Sequence, residues 1–180
     1  MTSSSESTVV LMFHPDYAKS KANRALAIAA QNLQHVRLVD MYAEYTNGRS
    51  NLDREVARLI DASRIVLQFP IMWYSTPPLL KQWQDEVLTR MFYINPETEG
   101  NLLKDKPLMV AATAGNAPSA YTASGINLFS LEELIKPLQS TAHRCGLRWS
   151  SPFLIYEANK LDGTTLHKHA DRYAQVLRDL

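Results

Sequence analysis

The chain is poor in three things that would each point to a function class: cysteine, net charge and glycine. A single cysteine, Cys145, excludes an intrachain disulfide framework and fits a reducing compartment. Lysine and arginine total 19 against 18 aspartates and glutamates, a formal net charge of +1. That balance gives no electrostatic case for nucleic acid, an acidic membrane surface or a polyanionic substrate. The uncharged run from Ile65 to Leu80 is too short and too rich in proline to span a membrane. The opening residues, Met1 to Glu6, are polar and lack the basic and apolar regions of a signal peptide. The expectation is a cytoplasmic protein, one domain over residues 1–180 with residues 1–8 as a flexible N-terminus.

What is present is a regular alternation of apolar runs and helical spacing. Val9 to Phe13 is continuously apolar, as in a strand buried on both faces of a parallel sheet. Val36–Asp40, Arg64–Phe69, Leu108–Ala112 and Trp149–Tyr156 read as further strands. Helical spacing follows Ser20, where an N-cap would stand, and recurs around Val56 to Ile60, Leu79–Leu88, Leu131–Cys145 and Thr165–Leu180. Asp162-Gly163 reads as a turn. This alternation predicts an α/β doubly wound parallel sheet with helices on both faces.

Two strand orders compete, the dinucleotide-binding one and the flavodoxin-like 2-1-3-4-5, and the missing glycines decide between them. The segment after the first strand, His14 to Ser20, contains none, so neither G-x-G-x-x-G nor a Walker A loop is there. In the flavodoxin-like order three loops converge beyond the strand ends, residues 14–23, 70–76 and 113–127. A helix starting near Ser20 offers unpaired N–H groups and the positive end of its dipole to an anion. Ser20 and Asn23 could add hydrogen bonds and Lys21 or Arg24 charge; alternatively Ser20 merely caps the helix and Asn23 faces water. The second loop carries Trp73 and Tyr74 among Pro70, Pro77 and Pro78. Two adjacent aromatics braced by prolines suit a flat ligand, or else cap the core.

The motifs in order are His14-Pro15, Ser20-x-x-Asn23-Arg24, Pro70-x-x-Trp73-Tyr74-Ser75-x-Pro77-x-Leu79-Leu80-Lys81-x-Trp83, Thr113-x-Gly115, Ser119-x-Tyr121 and a late Thr141-Ala142-His143-x-Cys145-Gly146. Together they resemble the flavodoxin-like NAD(P)H:quinone oxidoreductase family. The match is particularly to its short bacterial branch, which includes the ancillary subunits of glutathione-gated potassium efflux systems. The resemblance implies FMN, with FAD as the alternative, reduced by NADPH or NADH and reoxidised by a quinone or related acceptor. It implies cofactor contacts from His14, Ser20, Lys21, Ala22 and Asn23, from Pro70, Ile71, Met72, Trp73 and Tyr74, and from Thr113, Ala114, Gly115 and Asn116. Backbone groups from Ile71 to Trp73 would meet the polar edge of the ring. Tyr121 matches a tyrosine that stabilises charge in hydride transfer. The histidine six residues later is replaced by Asn127, which can donate a hydrogen bond but cannot become an imidazolium.

The resemblance also implies a homodimer and, as a second role, a regulatory partner for a potassium efflux transporter, attached peripherally to the inner membrane. Glycines common in the family are replaced here by Met91, Asn95, Asp105 and Asn116. No metal is expected: His167 and His169 are two apart on a helix and face different ways.

Overall fold

The computed structural model describes residues 7–45, 48 and 51–180. Its parallel sheet is built from β1 (Thr8–Met12), β2 (Val36–Asp40), β3 (Arg64–Pro70), β4 (Pro107–Thr113), β5 (Arg148–Trp149) and β6 (Phe153–Ile155). The order is β2-β1-β3-β4-β5, with β6 also paired to β4, so β5 and β6 together fill the fifth position of the expected 2-1-3-4-5 order. A single fifth strand is interrupted at Ser150-Ser151-Pro152, where proline has no N–H to give the ladder. The six opening residues lie outside the described residues. Thr8 already belongs to β1, and the Ser7 carbonyl accepts from the Ser63 and Arg64 amides, so residues 7 and 8 of the stretch expected to be flexible are tied into the fold.

Alternation along the strands separates two cores. Val9, Leu11, Ile65, Leu67, Leu108 and Val110 face α3 (Leu52–Asp61), α4 (Pro78–Trp83) and α6 (Lys136–Arg144). Val10, Val66, Met109 and Ala111 face α1 (Ala22–Gln31) and α7 (Gly163–Asp179). Covering both faces with helices is what allows these strands to be apolar at nearly every position, on both faces.

Helix ends depart from expectation where side chains intervene. A short α2 (Met41–Glu44) is added after β2, capped by Asp40, whose carboxylate accepts from the Tyr42 and Ala43 amides. The expected Leu131–Cys145 helix divides into α5 (Leu131–Leu134) and α6, with Pro137 at the start of the second. Asp162 proves to be the N-cap of α7, accepting from the Thr165 amide at 2.7 Å, with Gly163 the first helical residue. The helix begun by α4 continues as two wider π-type segments, Gln84–Leu88 and Arg90–Ile94, past its expected end. Met91 is core there, whereas Tyr93 is exposed. No helix among the described residues is long and apolar enough to cross a membrane.

Candidate ligand site at the strand ends

The carboxyl ends of β1, β3, β4 and β6 open onto one cavity of about 420 Å³. In the first loop Ser20 is the last extended residue (φ −70°, ψ 129°) and Lys21 the first with helical dihedrals. No side chain caps this end of α1, so its first-turn amides remain open to the cavity and the Ser20 hydroxyl is not used as a cap. His14 lines the same wall, and its Nδ1 accepts from the Asp16 amide at 3.1 Å. Burial lowers its pKa from the ordinary value despite the opposing charges of Asp16 and Asp40, so the ring is neutral at neutral pH with its remaining hydrogen on Nε2. Lys19 at the rim pairs with Asp16 at 2.8 Å.

Asn23 does not face water. It is 1% exposed, and its Nδ2 donates to Thr113 Oγ1 at 2.8 Å.

The second loop is a tight two-residue turn. Met72 N–H donates to Ser75 O at 2.9 Å and Ser75 N–H to Met72 O at 3.1 Å, closing Trp73 and Tyr74 between them. Both central residues have positive φ, 44° and 64°. That is the conformation of a type I′ turn, normally occupied by Asn-Gly, and it costs a bulky residue of order 1–3 kcal/mol. Because Ile71 N–H donates to Thr113 O and Met72 N–H closes the turn, neither amide is available to a ligand. Of the Ile71 to Trp73 amides expected to meet a ligand, only that of Trp73 is not used by the backbone. In this loop the Trp73, Tyr74 and Thr76 amides have no backbone acceptor. Trp73 projects outward at 91% exposed, its ring edge-on to Tyr74.

In the third loop Gly115 lines the cavity, and a Cβ added there would meet no protein atom within 4 Å. Glycine here keeps the cavity itself clear. Asn116 lies outside the lining, its carbonyl accepting from the Glu157 amide. Of the positions where family members carry glycine, Asp105 has positive φ (62°), while Asn95 (φ −124°) and Asn116 do not. Tyr121 is 8% exposed behind this loop, packed with Ala114 and edge-on to Tyr156. Burial raises its phenol pKa, against a smaller opposing effect from the Asn116 backbone, so it stays protonated. Asn127 Oδ1 accepts from the Tyr74 hydroxyl at 3.3 Å, tying the third loop to the turn.

The cavity gathers His14, Ser20, Ala22, Asn23, Pro70, Ile71, Met72, Thr113, Ala114 and Gly115 of the residues expected from sequence. Lys21, Trp73, Tyr74, Asn116, Tyr121 and Asn127 stand around it rather than in its wall. Sequence reasoning missed Ala158 and Asn159, which complete the wall after β6. The available signal was topological, because the last strand also ends at the crevice. Among the described residues no group of three His, Cys, Asp or Glu is placed to hold a metal.

Residues 6–177 match the family described as a flavodoxin-like fold. The chain belongs to that family. Its sequence is 37% identical over 173 residues to a protein of Bacillus subtilis named as an uncharacterized NAD(P)H oxidoreductase, YdeQ, covering 96% of this chain and 87% of that one. It is 36% identical to the glutathione-regulated potassium-efflux ancillary protein KefG of Serratia proteamaculans, over 95% and 92% of the two chains. Among solved structures, general stress protein 14 of Treponema denticola, in complex with FMN, superposes with a TM-score of 0.84 at 27% identity, covering 96% and 98%. An NADPH-quinone reductase from P. pentosaceus gives 0.83 at 26% identity, covering 94% and 96%.

Proposed function

We propose that the chain binds FMN in the strand-end cavity and acts as an NAD(P)H oxidoreductase, passing two electrons to a quinone or related small acceptor in ping-pong order. The observation that carries this reading is the pairing of two complementary walls. One is the uncapped N-terminus of α1 with Ser20 and neutral His14, a donor set for a single phosphate. The other is formed by Ile71 and Met72, which lead into the Trp73-Tyr74 turn, with Gly115 keeping the cavity clear. A volume of about 420 Å³ lies in the range of cofactor sites. A single phosphate-type corner suits FMN, with FAD the alternative. The FMN-containing relative supports the same choice.

When bound, FMN supplies acceptance of hydride from NADPH or NADH and its delivery to the acceptor. The chain's own residues bind and orient. The first turn of α1, Ser20 and His14 hold the phosphate end, and the Trp73 and Tyr74 amides offer donors to the polar edge of the ring. Gly115 lets the ring approach the backbone. Tyr121, kept protonated by its burial, and Asn127, held by Tyr74, stabilise charge without titrating near neutral pH.

The test is an absorbance spectrum of the purified protein with and without FMN, followed by NADPH and then a quinone. A flavin spectrum bleached by NADPH and restored by quinone is expected. A protein that takes up neither FMN nor FAD sinks the reading.

A second reading is favoured by the KefG relationship: a flavin-binding ancillary subunit of a glutathione-gated potassium efflux transporter, held peripherally at the inner membrane. Efflux that is unchanged when this chain is deleted counts against it. For either role we propose a homodimer, supported by the apolar side chains exposed beside the turn and third loop: Trp73, Ile126, Leu128 and Phe129. A monomer in sedimentation overturns that assignment.

A further inference from the structure

A buried chain of hydrogen bonds runs from α7 through the sheet to the cavity wall. Tyr173 OH contacts Gln68 Oε1 at 3.2 Å. Gln68 Nε2 contacts the Asn23 backbone carbonyl at 2.9 Å and Asn23 Oδ1 at 3.4 Å, and Asn23 Nδ2 contacts Thr113 Oγ1 at 2.8 Å. All four side chains are buried. Only Asn23 and Thr113 line the cavity; Gln68 and Tyr173 stand behind it.

The direction of every bond follows from one group that cannot reverse. A backbone carbonyl only accepts, so Gln68 must turn its amide nitrogen to Asn23 O, which leaves Oε1 facing Tyr173. Tyr173 must then donate, and burial raises its phenol pKa strongly enough to keep that hydrogen. With Gln68 Nε2 beside it, Asn23 presents Oδ1 to Gln68, because the flipped amide would bring two donors together. Asn23 Nδ2 therefore donates to Thr113, whose oxygen accepts. The single hydroxyl hydrogen of Thr113 is left over. Among the described residues no hydrogen bond takes it, and Thr113 opens on the cavity.

We infer that Gln68 and Tyr173 are positioning residues that fix the polarity of Thr113, making its hydroxyl a donor to a hydrogen-bond acceptor atom of the ligand. On the flavin reading, on which this inference rests, that atom belongs to FMN. A chain set the other way round would leave Thr113 with no hydrogen for the ligand. The consequence is selection for an acceptor at this point of the cavity, decided by residues that never touch the ligand.

The test is a double-mutant cycle on FMN dissociation constants. Thr113→Val removes the donor and should weaken FMN binding about five- to tenfold, the size of one neutral hydrogen bond. Thr113→Ser should restore most of it. Gln68→Leu releases Asn23 and should weaken binding to a similar extent, while the Thr113→Val/Gln68→Leu pair should bind no more weakly than Thr113→Val alone. Circular dichroism and thermal melts check that each variant is folded. If Gln68→Leu does not fold, Tyr173→Phe takes its place. It should weaken binding about two- to threefold with Thr113 present and not at all in the Thr113→Val background. Losses that simply add, or a Thr113→Val protein with unchanged affinity, overturn the inference while the flavin reading stands. A wild-type protein that binds no flavin overturns both.

Discussion

The two walls of the cavity are held in place by opposite means. The α1 wall rests on buried side chains, with Asn23 and Thr113 locked by Gln68 and Tyr173, and every residue in an ordinary backbone conformation. The opposite wall, Ile71 and Met72, leads into an exposed turn whose two central residues are both in the left-handed region, with bulky side chains that disfavour it. That turn is held by its own backbone pair and the Tyr74–Asn127 contact. Behind it, Trp83 of α4 donates from Nε1 to the buried Glu55 at 3.1 Å, which pairs with Arg58 at 2.7 Å. The lesson is that one wall gains its precision from satisfied polar groups in the interior. The other stores strain at the surface, where a ligand can use it.

This contrast can be broken first at the anchor behind the strained wall. Glu55→Ala leaves Arg58 buried without its closest partner and should cost about 3–5 kcal/mol in urea unfolding. A loss below about 1 kcal/mol would show that α4 does not depend on this pair. Next, Gln68→Ala opens a cavity and unpairs buried polar groups behind the other wall, and should cost about 2–3 kcal/mol. An unchanged denaturation midpoint contradicts the interior role given to that side chain.

The turn should respond with the opposite sign. Replacing Trp73-Tyr74 by Asn-Gly satisfies the left-handed geometry and should raise stability by about 1–2 kcal/mol while NADPH-dependent quinone reduction falls. A double substitution that destabilises the protein argues that the aromatic contacts outweigh the backbone strain.

The smallest expected effect is a pH slope. The His14 pKa is lowered in the folded state, so below its ordinary value of 6.5 the unfolded chain binds the proton more readily. Its contribution is therefore intact above pH 6.5 and lost as pH falls through the folded pKa. His14→Asn should flatten the decline in stability below pH 6.5 relative to wild type. His169, also lowered by burial, keeps part of the slope in both proteins. Parallel curves for the two would place His14 in solvent.

Much of this was legible in the chain itself. The apolar runs at Val9, Ile65 and Leu108 announce strands buried on both faces, and the glycine-free segment after the first strand excludes a dinucleotide loop. Parts of the three expected loops meet at one cavity, because strand ends dictate where loops converge. The Trp73-Tyr74 turn was not legible, since the residues that normally mark a type I′ turn are absent from it. Nor was the use of the Ile71 and Met72 amides within the protein. Nothing in the sequence around Gln68 or Tyr173 marks their meeting, since the two stand 105 residues apart along the chain.

By itself, then, the sequence determined the layered α/β architecture and the edge at which the loops after the strands gather around a cavity. Local apolar periodicity is enough to choose strands, helices and their order. Only the tertiary structure decided which polar atoms meet and in which direction they donate. The physical reason is separation along the chain: the partners in the buried hydrogen-bond chain stand 90, 45 and 105 residues apart. No local pattern encodes such a meeting, because each of these residues is satisfied only when the sheet brings α1, β4 and α7 around Gln68.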